Sequence, residues 1–176
     1  MNKSKNKNIP SDNDKLVSPD ITTVKVLELL CRKGGKYAGW GMNDNHQEFT
    51  GELSLTPVVN NFGINIAFMA TAEDGSIVNE ESTLIALDSE NKLTMWTLNS
   101  NFNTTVIFDF KFHKRIRPAK DIIVFGYGSA EENEHTREEI SLEFWDNGDL
   151  TYTYFWGMPN GEFMKHSTAT LKKINS

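Results

Sequence analysis

Cysteine is almost absent from this chain: Cys31 is the only one in 176 residues. A single thiol excludes a disulfide framework within the chain and a cysteine-based zinc cluster, and it fits a reducing compartment. Long apolar runs are missing as well. The opening "MNKSKNKNIPSDNDKLVSPD" has basic residues without the apolar stretch of a secretory signal, and no later segment is apolar enough for a membrane-crossing helix. A cytoplasmic protein without membrane association is the expectation. Positive charge is in deficit, with 18 Lys and Arg against 24 Asp and Glu and a formal net charge of −6. That balance removes any general attraction to nucleic acid. The locally basic "KFHKRIRPAK" lacks the interleaved aromatics of a base-stacking surface and reads as a solvated loop.

Catalytic signatures are lacking too. The chain has no Gly-x-Ser-x-Gly elbow, no phosphate-binding glycine loop and no dinucleotide fingerprint. Its histidines, His46, His113, His135 and His166, show no paired metal-ligand spacing.

What the chain does have is periodicity. Residues 1 to 17 carry little to bury and read as a mobile tail, leaving 18 to 176 as one domain. Ile21, Val24, Leu27, Leu30 and Cys31 recur at helical spacing between Ser18-Pro19 and Gly34-Gly35, predicting a short helix over about 20 to 33. From Gly35 to about 174 the period becomes two, punctuated by "EDGS", "DSENK", "DNGD" and "MPNG". Strands are expected to start near 36, 47, 62, 77, 92, 104, 121, 136, 149 and 162. Short hairpin links between roughly ten strands predict an all-β, antiparallel, up-and-down barrel large enough to hold a small ligand, rather than a Greek-key sandwich.

Alternation assigns faces. Phe49, Leu53 and Leu55, then Ile64, Ile66 and Phe68, then Val106, Phe108, Phe110 and Phe112 should point inward. Ile140, Leu142 and Phe144, and Leu150, Tyr152, Tyr154 and Trp156, follow them. Glu81 shares the inward parity of Ile77, Ile85 and Leu87; it is either a polar anchor for a ligand or is turned outward by a bulge near "NEES". Trp96, Leu98, Ile107, Ile123, Phe125, Tyr127, Trp145 and Phe155 fall on the outward parity of five successive strands. Such a patch would be a homodimer interface or the seat of the helix.

Two segments carry a family resemblance. "LLCRKGGKYAGWG" is similar to the Gly-x-Trp-x-Gly-x-Gly first strand of nitrobindin-like proteins, with Gly35, Tyr37, Gly39 and Gly41 at the motif positions and Tyr where the family has Trp. "GEFMKHSTATLKKI" resembles that family's last strand, where a His precedes an Ala-x-Leu-basic pattern; here these are His166, Ala169, Leu171 and Lys172. The resemblance implies a lipocalin-like calycin barrel that binds haem through His166, which would then be the metal ligand.

The expected function is non-catalytic binding of a small hydrophobic ligand inside the barrel, with haem as the specific candidate. Its site would comprise His166, Met164, Phe108, Phe110, Tyr152, Tyr154 and Glu81. Two other readings stay open. One is a barrel filled by its own eleven Phe, four Tyr and four Trp and acting through protein interaction; the other is a small isomerase using Glu81 with Tyr152 or Tyr154.

Overall fold

The computed structural model describes residues 21–101, 104–116, 120–128 and 135–174. The tail expected over 1 to 17, with Ser18 and Pro19, lies outside the described residues. A helix, α1 (Ile21–Arg32), leads into ten strands: β1 (Gly35–Asn43), β2 (Glu48–Val58), β3 (Gly63–Thr71), β4 (Ile77–Leu87), β5 (Leu93–Asn99), β6 (Val106–Ile116), β7 (Lys120–Tyr127), β8 (Arg137–Trp145), β9 (Leu150–Gly157) and β10 (Met164–Ile174). Every strand pairs antiparallel with its sequence neighbours, and β1 pairs with β10 to close the barrel. Closure leaves no unpaired sheet edge. Among the described residues no helix is long and apolar enough to cross a membrane.

The glycines of β1 make the closure possible. A side-chain carbon on Gly39 would come within 2.1 Å of the Thr170 carbonyl oxygen, and one on Gly41 within 2.5 Å of that of Thr168. Only glycine lets β1 bend this tightly against β10.

Alternate hairpins place their loops at opposite ends. α1 covers one end, where Val26, Leu27 and Leu30 join the core alongside Leu55, Ile64 and Leu93. Each buried aliphatic side chain contributes about 1.5–3 kcal/mol. The helix ends at Gly34, whose N–H donates to the Cys31 carbonyl, and the Tyr37 hydroxyl ties the same turn to the barrel through the Lys33 carbonyl. Asp121, inside the barrel at this closed end, accepts from Arg115 at 2.9 Å and lies 3.1 Å from His113 Nε2; Arg115 also reaches Asp146.

Three bulges reset the alternation, and they account for where the structure departs from strict period two. In β6 the register shifts between Phe110 and Phe112. Lys111 is the additional residue, so Phe112 is turned outward, 47% exposed, instead of inward. Past this bulge His113 and Arg115 take the inward positions opposite Ile123 and Asp121. Ile123 and Phe125 therefore face the core, both fully buried against Leu142 and Ile140, not the outside as the alternation suggested. Tyr127 continues that inward row, its ring 6.4 Å from Phe108. Loss of the β7 residues splits the expected five-strand apolar patch: Trp96, Leu98 and Ile107 stay together on β5 and β6 beside Leu84 of β4, while Trp145 and Phe155 remain outward and half-buried on β8 and β9.

The second bulge lies between Ile77 and Asn79 in β4, opposite Thr71 and Ala70. It turns Ile77 outward and leaves Glu81 inward, paired with Phe68. A bulge does occur near "NEES", but it falls ahead of Glu81 and does not reverse it. The third bulge, in β10, belongs to the site.

Candidate functional site

The half of the barrel away from α1 encloses a cavity of about 540 Å³ that opens between the β1–β2, β3–β4, β5–β6 and β9–β10 loops. Its walls are aromatic, formed by Phe49, Phe68, Phe108, Tyr152, Tyr154 and Trp156. Polar side chains share the lining, and they are set in rows that follow from strand position.

At the floor, Glu81 on β4 is 5% exposed. Its Oε1 accepts from the Tyr152 hydroxyl on β9 at 2.7 Å and from the Thr83 hydroxyl at 2.8 Å, and Thr83 continues to Thr97 at 2.9 Å. β4 and β9 lie on opposite sides of the barrel, so the Glu81–Tyr152 bond is a bar across the lumen. Beneath it Ile66, Ile85, Met95 and Leu142 are buried in the interior. Burial pushes the Glu81 carboxyl above its ordinary range, opposed by the Tyr152 and Thr83 hydrogen bonds. The Tyr152 hydroxyl is raised well above its usual value, first by burial and then by the neighbouring Glu81 charge.

On the wall, Glu138 of β8 is 8% exposed and accepts from the Tyr154 hydroxyl at 2.8 Å. Burial raises its carboxyl, opposed by that hydrogen bond. Tyr154 is raised by burial and by Glu138. At the rim, Asn43, Asn79, Asn99 and Asn101 ring the opening, with Asn101 donating to Asn79 at 3.2 Å.

His166 reaches the cavity through the third bulge. The β10 register slips between Lys165, opposite Phe155, and Ser167, opposite Tyr154, which leaves His166 as the additional residue. The bulge reconciles Lys165 with Ala169 and Leu171: the last two are buried inside, Lys165 is outside, and His166 with Ser167 still lines the cavity. Lys173 keeps the inward parity but is exposed near the end of the strand, where its ammonium donates to the Gly34 carbonyl. His166 Nδ1 lies 2.8 Å from Asp44 Oδ2, and its ring stands edge-on to Tyr154 and Trp156, each 5.7 Å away between centroids. A carboxylate there holds the ring hydrogen on Nδ1 and leaves Nε2 as the free acceptor. That arrangement matches the outer partner of a metal-ligating histidine, so the donor chemistry fits an axial ligand to haem iron. Among the described residues no group of three or more His, Cys, Asp or Glu is placed to hold a bare metal ion.

Of the residues expected in the site, Glu81, Phe108, Tyr152, Tyr154 and His166 converge on the cavity. Phe110 packs lower, edge-on to Phe125 at 5.9 Å, and Met164 is 48% exposed outside the lining. Glu138 was hidden within the acidic run "EENEHTREE", although its parity with Ile140 and Leu142 marks it as inward.

The architecture is that of a closed ten-stranded antiparallel β-barrel with a short helix at one end, a fold compatible with ligand binding. No family model and no curated protein matches the chain. Among solved structures it is similar to Rv2717c from M. tuberculosis, with a TM-score of 0.63 and 13% identity over 90% of this chain and 100% of that one. A de novo designed fluorescence-activating β-barrel aligns with a TM-score of 0.41 and 12% identity over 80% of this chain and 93% of the design. The first likeness extends to the fold alone.

Proposed function

We propose that the protein is a single-domain, non-catalytic binding protein that holds a small, mainly hydrophobic ligand in the mouth half of its barrel. The observation that carries this reading is the cavity. At about 540 Å³ it exceeds the ~300 Å³ of a drug-sized site, and its aromatic walls are interleaved with oriented polar groups. A barrel filled by its own side chains would have packed this half as it packs the other. Titration with the neutral fluorophore N-phenyl-1-naphthylamine tests the reading: saturable enhancement at one equivalent is expected, lost when Ala169 in the lining is replaced by Phe. No saturable binding would overturn it.

Haem is the particular occupant raised by the resemblance of the first and last strands to nitrobindin-like proteins. His166 would hold the iron, with Tyr154 and Trp156 flanking the imidazole. Bound haem would supply reversible coordination of small gases. A saturable Soret band with hemin, shifted or lost in His166→Ala, is the expected result, and identical weak spectra for both proteins would remove haem from consideration. A homodimer would use the outward patch around Trp96, Leu98 and Ile107, which gel filtration with multi-angle scattering would detect.

A further inference from the structure

The cavity has a sign. Its lining holds two inward carboxyl groups, Glu81 and Glu138, and no lysine or arginine among the described residues. Both donors to Glu81 converge on Oε1, and the single donor to Glu138 reaches Oε2. No donor from the described residues is recorded at Glu81 Oε2 or Glu138 Oε1, so each carboxyl keeps one oxygen for another partner. A carboxyl group so nearly enclosed normally has its lone pairs answered. Tyr152 and Tyr154 bind the opposite oxygens and fix the rotamers, so the free oxygens are oriented in advance.

The walls add a second preference. Faces and edges of Phe49, Phe68, Phe108 and Trp156 surround the same space, and aromatic faces attract cations, most strongly where water is excluded. An anionic head group would meet repulsion from two carboxylates without a basic residue to offset it. A neutral hydroxyl would answer one oxygen at most.

We propose that the ligand is an organic cation, in place of haem: a primary or substituted ammonium group on an aromatic or aliphatic body, with the ammonium held by Glu138 or by Glu81 and the body against the aromatic walls. This rests on the reading of the cavity as a ligand site. Burial raises both carboxyls and so favours their neutral form; a bound ammonium would act in the opposite direction and favour the ionised form.

The test uses the intact protein and three probes of one shape: 1-naphthylmethylamine, 1-naphthalenemethanol and 1-naphthoate, each displacing N-phenyl-1-naphthylamine at neutral pH. The amine is expected to bind at least about tenfold tighter than the alcohol, with the carboxylate weakest. Glu138→Gln or Glu81→Gln, whichever carboxyl holds the ammonium, should reduce the amine's advantage over the alcohol, with thermal unfolding confirming that each variant is folded. Equal affinity for amine and alcohol in the wild-type protein would overturn the cation assignment while leaving the hydrophobic-ligand reading intact. Failure of the fluorophore itself to bind would overturn both.

Discussion

The two halves of the barrel are built from the same strands and put them to opposite uses. At the α1 end Leu30, Ile64, Ile85, Met95, Leu93 and Phe144 are essentially inaccessible, and the one inward carboxylate, Asp121, is met by Arg115 and His113. At the mouth the inward positions hold Asn, Glu and widely spaced aromatics around open volume. The dividing line is the Glu81–Tyr152 bar. Below it side chains satisfy one another; above it they face space. Stability should therefore reside in one half and recognition in the other.

The sharpest way to break that division is Leu30→Ala in the plug. Loss of a side chain this buried should cost about 2–5 kcal/mol by denaturant titration, while the affinity for N-phenyl-1-naphthylamine in the remaining folded protein stays the same. Equal damage to both would mean that the plug and the cavity are one unit.

The bar itself gives a pH signature. A carboxyl raised on folding binds its proton more tightly in the native state, so native protein carries more protons than unfolded protein between the two values. Stability is then highest below the ordinary glutamate value, about 4.3, and declines as pH rises toward the elevated one. Glu138 and Glu139, also raised by burial, act with the same sign. Glu81→Gln keeps the acceptor for Tyr152 and Thr83 and removes the titration, so unfolding measured from pH 4 to 8 should show a shallower decline than wild type. An unchanged slope would locate the effect at Glu138 or Glu139 instead.

At the closed end, Arg115→Met leaves Asp121 with His113 alone. Because Arg115 is partly exposed, the expected loss of stability is small, well below that of Leu30→Ala, without change in probe affinity. Smallest of all is Glu28→Gln, which removes the exposed pair with Arg32 at 4.0 Å and should shift stability by less than about 0.5 kcal/mol.

Much of the barrel could be read from the chain. The expected strand starts fall within about two residues of those observed, because turn chemistry such as Asp74-Gly75 and Asn147-Gly148 is local and the alternation between turns is regular. The faces were legible in β2, β3, β8 and β9, but not in the equally regular β7, whose Ile123 and Phe125 face the core although the alternation had set them outward. The faces were also lost at the additional residue in β4, β6 and β10, because a bulge reverses every later side chain without needing a distinctive residue type. The reversal in β6 carried the most consequence: it moved Phe112 out and brought His113 and Arg115 in to meet Asp121. Glu81 was legible as an inward carboxylate by parity alone. Glu138 obeyed the same rule, yet its setting in a run of acidic residues reads as solvated surface.

The seam between β1 and β10 has a consequence in time. The strand that completes the barrel is the last of the ten to be made, and until it docks both β1 and β9 present bare backbone along their length. The contact between His166 and Asp44 spans that seam, joining residues 122 positions apart. Shutting the barrel thus also completes the wall of the cavity. A nascent or damaged chain with an open seam would be unable to capture ligand, and ligand, once captured, would help to latch the seam closed.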